Sequence, residues 1–207
     1  MWLLHYQVFN RILTMKYIFF IFFIVFITKA NAQRLTEKDW NILIEYLDSE
    51  DWENSSKISG IYLGMMQDDT AFVNEAAILR YMFITSLAGL MNNKKLTKDE
   101  AIKKVNDMEG YPIFSPVRPV KKKAGFNSFY LGEGSDSTIH CTNSNKKNTA
   151  IFSFDVVYLS KKITGTELDK HEGQPARVGG YIEKISIEGI SLPRFRLIIK
   201  EGFIEFE

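Results

Sequence analysis

Near Gly110 the three-and-four spacing of apolar residues ends, Pro112, Pro116 and Pro119 follow at once, and from Phe126 the spacing is two. No other feature constrains the fold as much. A stripe repeating at helical spacing buries one face of a helix, and the same residues in a strand scatter over both faces. The chain is therefore committed to helices first and strands second. That order predicts an α+β fold rather than an alternating α/β one. About four helices in residues 33–110 are expected to pack on residues 111–207, which form a mostly antiparallel β-sheet or small open barrel of five to seven strands. The two segments are expected to share one continuous core.

The helical half has its own punctuation. Thr36 with Asp39 predicts a capped start, followed by a stripe of Trp40, Leu43, Ile44 and Leu47. An Asp/Glu/Asn/Ser-rich loop is expected over residues 48–56. Ile58, Ile61, Tyr62, Met65 and Met66 then recur at helical spacing, with Gly60 and Gly64 offering room for a neighbouring helix. Asp69-Thr70 reads as the cap of a third helix over residues 71–91. Its stripe is Phe72, Ala76, Leu79, Phe83, Leu87 and Leu90, widened by Ala77, Ile78 and Met82, so it should be central. Arg80 and Glu75 interrupt it, which argues for a buried helix over a membrane span. Thr97 and Glu100 form a capping box for a short charged helix.

Beyond Gly110 the three prolines predict an extended connector without regular structure. The clearest strand is residues 149–159. Ala150, Phe152, Phe154, Val156 and Tyr158 make an apolar face; Ile151, Ser153, Asp155, Val157 and Leu159 make a mixed one. Over residues 176–187 the apolar phase slips between Ile182 and Ile185, which predicts a bulge near Glu183-Lys184. Turns are expected at Glu188-Gly189 and Glu201-Gly202.

The N-terminus is a separate matter. Residues 17–28 read YIFFIFFIVFIT, preceded by Lys16 and followed by Ala30-Asn31-Ala32. A basic start, a short apolar run and a small-x-small site predict a secretory signal peptide cleaved after Ala32, with Met15 a natural start. As a helix the run would span only about 18 Å, too short for the ~30 Å hydrocarbon layer. Localisation is therefore expected to be periplasmic or secreted, with membrane contact only through the signal before cleavage. Removing residues 1–32 takes away Arg11, Lys16 and Lys29 and no acid, turning the net charge of +1 into −2.

That near-zero total conceals a division. Residues 33–110 carry 9 basic and 14 acidic groups; residues 111–207 carry 14 and 11. Within the second half, Arg118, Lys121, Lys122 and Lys123 lead into Phe126, Phe129 and Tyr130. Basic residues interleaved with aromatics on a small β-domain are how oligonucleotide/oligosaccharide-binding barrels hold ligands. Export and the slightly negative mature charge argue against nucleic acid, leaving an envelope glycan or a protein partner. The plain alternative is a lysine-covered edge that resists aggregation. Asp155, an acid on a central strand, completes the candidate binding set.

Reactive constellations are few. One cysteine, Cys141, leaves no intramolecular disulfide. Adjacent His140 and Cys141 would point to opposite faces of a strand, so only His171 could serve Cys141 as a base. No G-x-S-x-G elbow occurs, and Gly179-Gly180 lies in a strand with no helix after it. No catalytic residue, metal or cofactor is expected. The function expected from these readings is an exported, non-enzymatic binding or interaction protein of the bacterial cell envelope. The alternatives are a small envelope hydrolase working through Asp155 or Cys141 and His171, and a periplasmic inhibitor or immunity protein.

Overall fold

The structure, a computed structural model, describes residues 35–66 and 73–207. The expected signal peptide and the Asp69-Thr70 cap lie outside the described residues. Five α-helices are described, α1 (Glu37–Asp48), α2 (Trp52–Met66), α3 (Val73–Asn92), α4 (Lys98–Lys103) and α5 (Gly165–Asp169), with a 3₁₀ turn at Asn106–Met108. Seven strands follow α4: β1 (Pro112–Phe114), β2 (Arg118–Pro119), β3 (Phe129–Leu131), β4 (Thr138–Ser144), β5 (Ile151–Leu159), β6 (Pro175–Glu188) and β7 (Arg194–Phe206). The fold is α+β, with helices mostly before strands.

The helix starts follow local chemistry. At α1 the Asp39 amide donates to Thr36 Oγ1 (3.2 Å) and the Thr36 amide to Asp39 Oδ2 (3.0 Å). Thr97 and Glu100 form the same reciprocal pair at α4. A third box, Thr164 with Glu167, starts α5, a helix that the apolar pattern did not predict. Each box satisfies amides that a helix terminus leaves open.

The linker after α1 is only residues 49–51, shorter than the expected loop, because Asp51 accepts from the Asn54 amide (3.3 Å) and starts α2 at once. The buried face of α2 also differs from the expected one. It is Trp52, Ser55, Ser59, Leu63 and Met66, whereas Ile61 and Met65 are half exposed. Small side chains decide this face. They let α2 approach α3 until Ser55 Oγ lies 2.6 Å from Ser86 Oγ. Gly89 of α3 sits under the Trp52 ring, where an added Cβ would lie 2.3 Å from ring carbon. Gly60 meets Phe83 in the same way, but nothing approaches Gly64. The α3 helix is central as expected, buried from Ala76 to Met91 on most sides. Its Arg80 is buried, donates to the Pro112 carbonyl (2.9 Å) and lies over the Tyr111 ring. No helix among the described residues is long and apolar enough to cross a membrane.

The sheet runs in the order β1-β6-β7-β5-β4-β3, with β2 also paired to β6. All pairs are antiparallel except β5 with β7. That exception arises because the β6–β7 hairpin docks on β5 through its second strand. The proline-rich connector is not structureless: β1 and β2 are two pieces of one edge strand, broken at residues 115–117. Pro112 and Pro119 are tolerated there because an edge does not require every N–H. Past β2 the chain reaches the far edge, where the Lys121 amide donates to the Phe129 carbonyl (2.8 Å). The sheet is thus curled enough for its two edges to meet at one bridge, Val120 with Phe129.

The bulge predicted in β6 is present, with the register slipping between Ile182 and Lys184, so that Val178, Ile182 and Ile185 are all buried. A second slip lies at Gly180. No turn forms at Glu201-Gly202; β7 continues through it. One buried cluster joins helix residues such as Leu43, Leu79 and Leu87 to strand residues such as Ile139, Phe195 and Leu197.

Candidate functional site

Strand β5 is central, as expected, and most of both its faces is buried, with Phe152 and Val156 of the apolar face buried alongside Ser153, Asp155, Val157 and Leu159. Opposite Ser144 the register slips, and Phe152 and Ser153 are both buried. From there Asp155, Val157 and Leu159 face the core, and Tyr158 is exposed on the other side. The bulge carries Phe152 inward to meet Trp52 edge to face at 5.1 Å. The mixed face is therefore the one that holds the helices, and its polar residues are buried with it.

Register places those polar residues together. On β4 the inward residues are Ile139, Cys141 and Asn143; Cys141 lies opposite Asp155 and Asn143 opposite Ser153. The Asn143 Nδ2 amide donates to Asp155 Oδ2 (2.6 Å) and to Ser153 Oγ (2.9 Å). The Ser153 hydroxyl donates to Asp155 Oδ1 (2.9 Å), and the Tyr81 hydroxyl reaches Asp155 Oδ2 from α3 (3.3 Å). The Cys141 thiol donates to Asn143 Oδ1 (3.2 Å). Every member is buried. Burial holds the Asp155 carboxyl above its ordinary value, against the pull of Ser153, Asn143, Arg118 and Tyr81. Burial, and then the Asp155 charge, pushes the Tyr81 phenol and the Cys141 thiol up as well.

In front of this network lies a cavity of about 510 Å³. Tyr81, Arg118 and Asn143 face it, whereas Asp155 and Cys141 stand one layer behind. Its apolar walls come from the helices and from β5: Ile44, Leu47, Trp52, Ile78, Met82 and Phe152. One rim is polar, where the β4–β5 turn meets the α1–α2 linker. There Lys146 Nζ lies 3.5 Å from Asp48, and the Lys146 amide donates to Glu50 Oε1 (3.2 Å). Residues at the break between β1 and β2, Phe114, Pro116 and Val117, also line it, as does Arg177, which lies 3.8 Å from Glu207. Apolar walls with a few convergent polar groups are the usual build of a small-molecule site, and the volume falls in the usual range of roughly 300–1,000 Å³.

Of the residues singled out by sequence, Arg118 and Asp155 come together here. The remainder do not. Phe129 is buried in the core, and Tyr130 stacks on His140 with ring centroids 5.8 Å apart. Phe126 is half exposed, and Lys121, Lys122 and Lys123 are exposed outside the cavity. Lys122 clips its loop to the α5 region, its amide donating to Glu172 (2.6 Å) and its ammonium lying 3.3 Å from Asp169. His171 is engaged by Gln174 (2.7 Å) and stacks on Phe206, so it does not serve as a base for Cys141. Burial, and then the charge of Arg196, lower the His140 pKa. Among the described residues no group of three or more His, Cys, Asp or Glu is placed to hold a metal ion.

Sequence reasoning missed Tyr81 and Asn143. Tyr81 lay inside an apolar helix, where its hydroxyl carried no signal. Asn143 could have been found by pairing β4 with β5 across residues 145–150, which sets two polar positions side by side.

The sequence matches no family model, and no curated protein or solved structure matches it.

Proposed function

We propose that this chain is an exported, non-enzymatic binding protein of the bacterial cell envelope, and that its ligand seats in the cavity between α1–α3 and the sheet. The observation that carries the binding reading is the cavity itself: apolar walls over a polar floor supported by a buried hydrogen-bonded network. Such support keeps floor side chains in one orientation, which favours recognition. The hydrolase alternative is less well served. A general acid or nucleophile must touch its substrate. Asp155 lies behind the floor with both oxygens occupied, and the Cys141 thiol is buried with its proton held. Export rests on the apolar run at residues 17–28 and the Ala30-Asn31-Ala32 site.

Two measurements test this. The full chain expressed in a Gram-negative bacterium should be recovered from the periplasm with Gln33 as its first residue; retention in the cytoplasm at full length would refute export. The recovered protein should bind the dye 1-anilinonaphthalene-8-sulfonate at one site, and Thr85→Trp, which fills the cavity from α3, should abolish that site without lowering the melting temperature. A dye signal unchanged by Thr85→Trp would refute the cavity as the site.

A further inference from the structure

The cavity floor is polar in an unequal way. Asn143, Ser153 and Asp155 satisfy one another. Arg118 does not share fully in that arrangement. It projects inward from β2, between the buried Ser115 and the buried Val120, and faces the cavity beside Tyr81. Its Nε is buried without a hydrogen-bond partner, and none of the ion pairs among the described residues includes it. Its guanidinium meets the Tyr81 side chain through a hydrogen bond, and the Asp155 charge acts on it from behind the floor. A guanidinium has five donors in a planar fork matched to a carboxylate, sulfate or phosphate. The Nε is out of a ligand's reach, so a ligand oxygen would meet the guanidinium at its cavity-facing end, where a charge-assisted bond in a largely apolar site gains more than one to a solvated lysine. The wall opposite this floor is hydrocarbon and aromatic, supplied by Ile44, Leu47, Trp52, Ile78, Met82 and Phe152, and the charged residues Asp48, Glu50, Lys146 and Arg177 stand at the rims.

Resting on the cavity reading above, we infer that the ligand class is an amphipathic anion: one carboxylate or similar oxyanion head paired with the Arg118 guanidinium, and an aliphatic body lying along the α1–α3 wall. A glycan fits the apolar wall poorly, because hydroxyls lying along it would lack the partners that only the floor and rims supply. A head group without a tail would lack the apolar contacts. Each methylene buried against the wall should tighten binding by about fourfold, until the cavity is filled.

The test uses the exported protein and three probes, decanoate, decan-1-ol and butyrate, each competing with the dye. Decanoate should displace it at a concentration at least tenfold below that of decan-1-ol, and butyrate should not displace it. Arg118→Met should bring decanoate to the level of decan-1-ol, and Arg118→Lys should restore part of the gap. Should Arg118→Met fail to fold, the decanoate-to-decanol ratio in the native protein and the Arg118→Lys variant decide the matter. Equal displacement by decanoate and decan-1-ol would overturn the anion inference while leaving the cavity reading intact. Decanoate tenfold tighter but unaffected by either Arg118 variant would also overturn it, by placing the head elsewhere. Failure of every probe, with no dye site lost in Thr85→Trp, would overturn both.

Discussion

Replacing Asp155 by alanine removes the acceptor on which three buried donors converge. Asn143 Nδ2, the Ser153 hydroxyl and the Tyr81 hydroxyl all point at it, at 2.6, 2.9 and 3.3 Å. Asn143 can fall back on Ser153 Oγ, already 2.9 Å away, so one donor is recovered. Two remain unsatisfied in a dry interior, at about 1–3 kcal/mol each. With the small void left by the carboxyl, the expected loss is about 3–5 kcal/mol, a large fraction of the ~5–15 kcal/mol of a typical domain. For a chain of this size that lowers the melting temperature by roughly 6–20 °C. Asp155→Asn keeps one acceptor oxygen but turns an NH₂ toward a donor, and should cost about 1–3 kcal/mol. The pair of variants also separates charge from packing. Burial raises the Asp155 pKa in the folded state above its ordinary 3.8, so folding favours the neutral acid. Wild type therefore loses stability as pH rises from the unfolded value through the folded one, a loss absent below the unfolded value. The asparagine variant does not ionise, so its deficit relative to wild type should shrink as pH rises above the unfolded value of about 4. Urea and thermal unfolding followed by circular dichroism measure both effects. A loss below about 1 kcal/mol for Asp155→Ala would refute the network as a structural support, and a deficit independent of pH would refute the buried ionisation.

Three further outcomes follow from the packing and the titrating groups. Gly89→Ala should destabilise by about 1–3 kcal/mol in the same unfolding assay, because its Cβ would stand 2.3 Å from the Trp52 ring; at an exposed helical position the same change would stabilise, so a rise in melting temperature would contradict the α2–α3 contact. Folded protein at pH 8 should leave Cys141 unlabelled by iodoacetamide over hours, with prompt labelling in urea, since the thiol is buried and pushed up; fast labelling without denaturant would show the inner face of β4 to be open. NMR titration should place His140 below the ordinary 6.5, because burial and Arg196 oppose its charging. The neutral ring is then favoured by folding, so stability is lost as pH falls from the unfolded value of about 6.5 through the lower folded one, and His140→Phe should flatten that part of the profile; a His140 value above 6.5 would contradict it.

The amino-acid sequence alone determined that most helices precede the strands, and for a simple reason: periodicity and caps are local. The change of apolar period after Gly110 separated helices from strands, Thr36–Asp39 and Thr97–Glu100 marked two helix starts, and the phase slip at Ile182–Ile185 located a bulge. Asp155 was visible as an acid on a central strand, and Arg118 as part of a basic run. What they were part of was not visible. The face of β5 that turns inward depended on a slip opposite Ser144, and the face of α2 that turns inward depended on how closely two serines let it approach α3. Hydrophobicity favours burying the larger apolar face, but packing distance outweighed it in α2. The lysine run, Phe126 and Tyr130 are neighbours in sequence but are not gathered at the cavity. Only the curl of the sheet, the Asn143–Asp155 pairing and the arrival of Tyr81 from α3 brought residues 37 and 74 positions apart into one floor. Those contacts join segments far apart in sequence, and a local pattern holds no record of them.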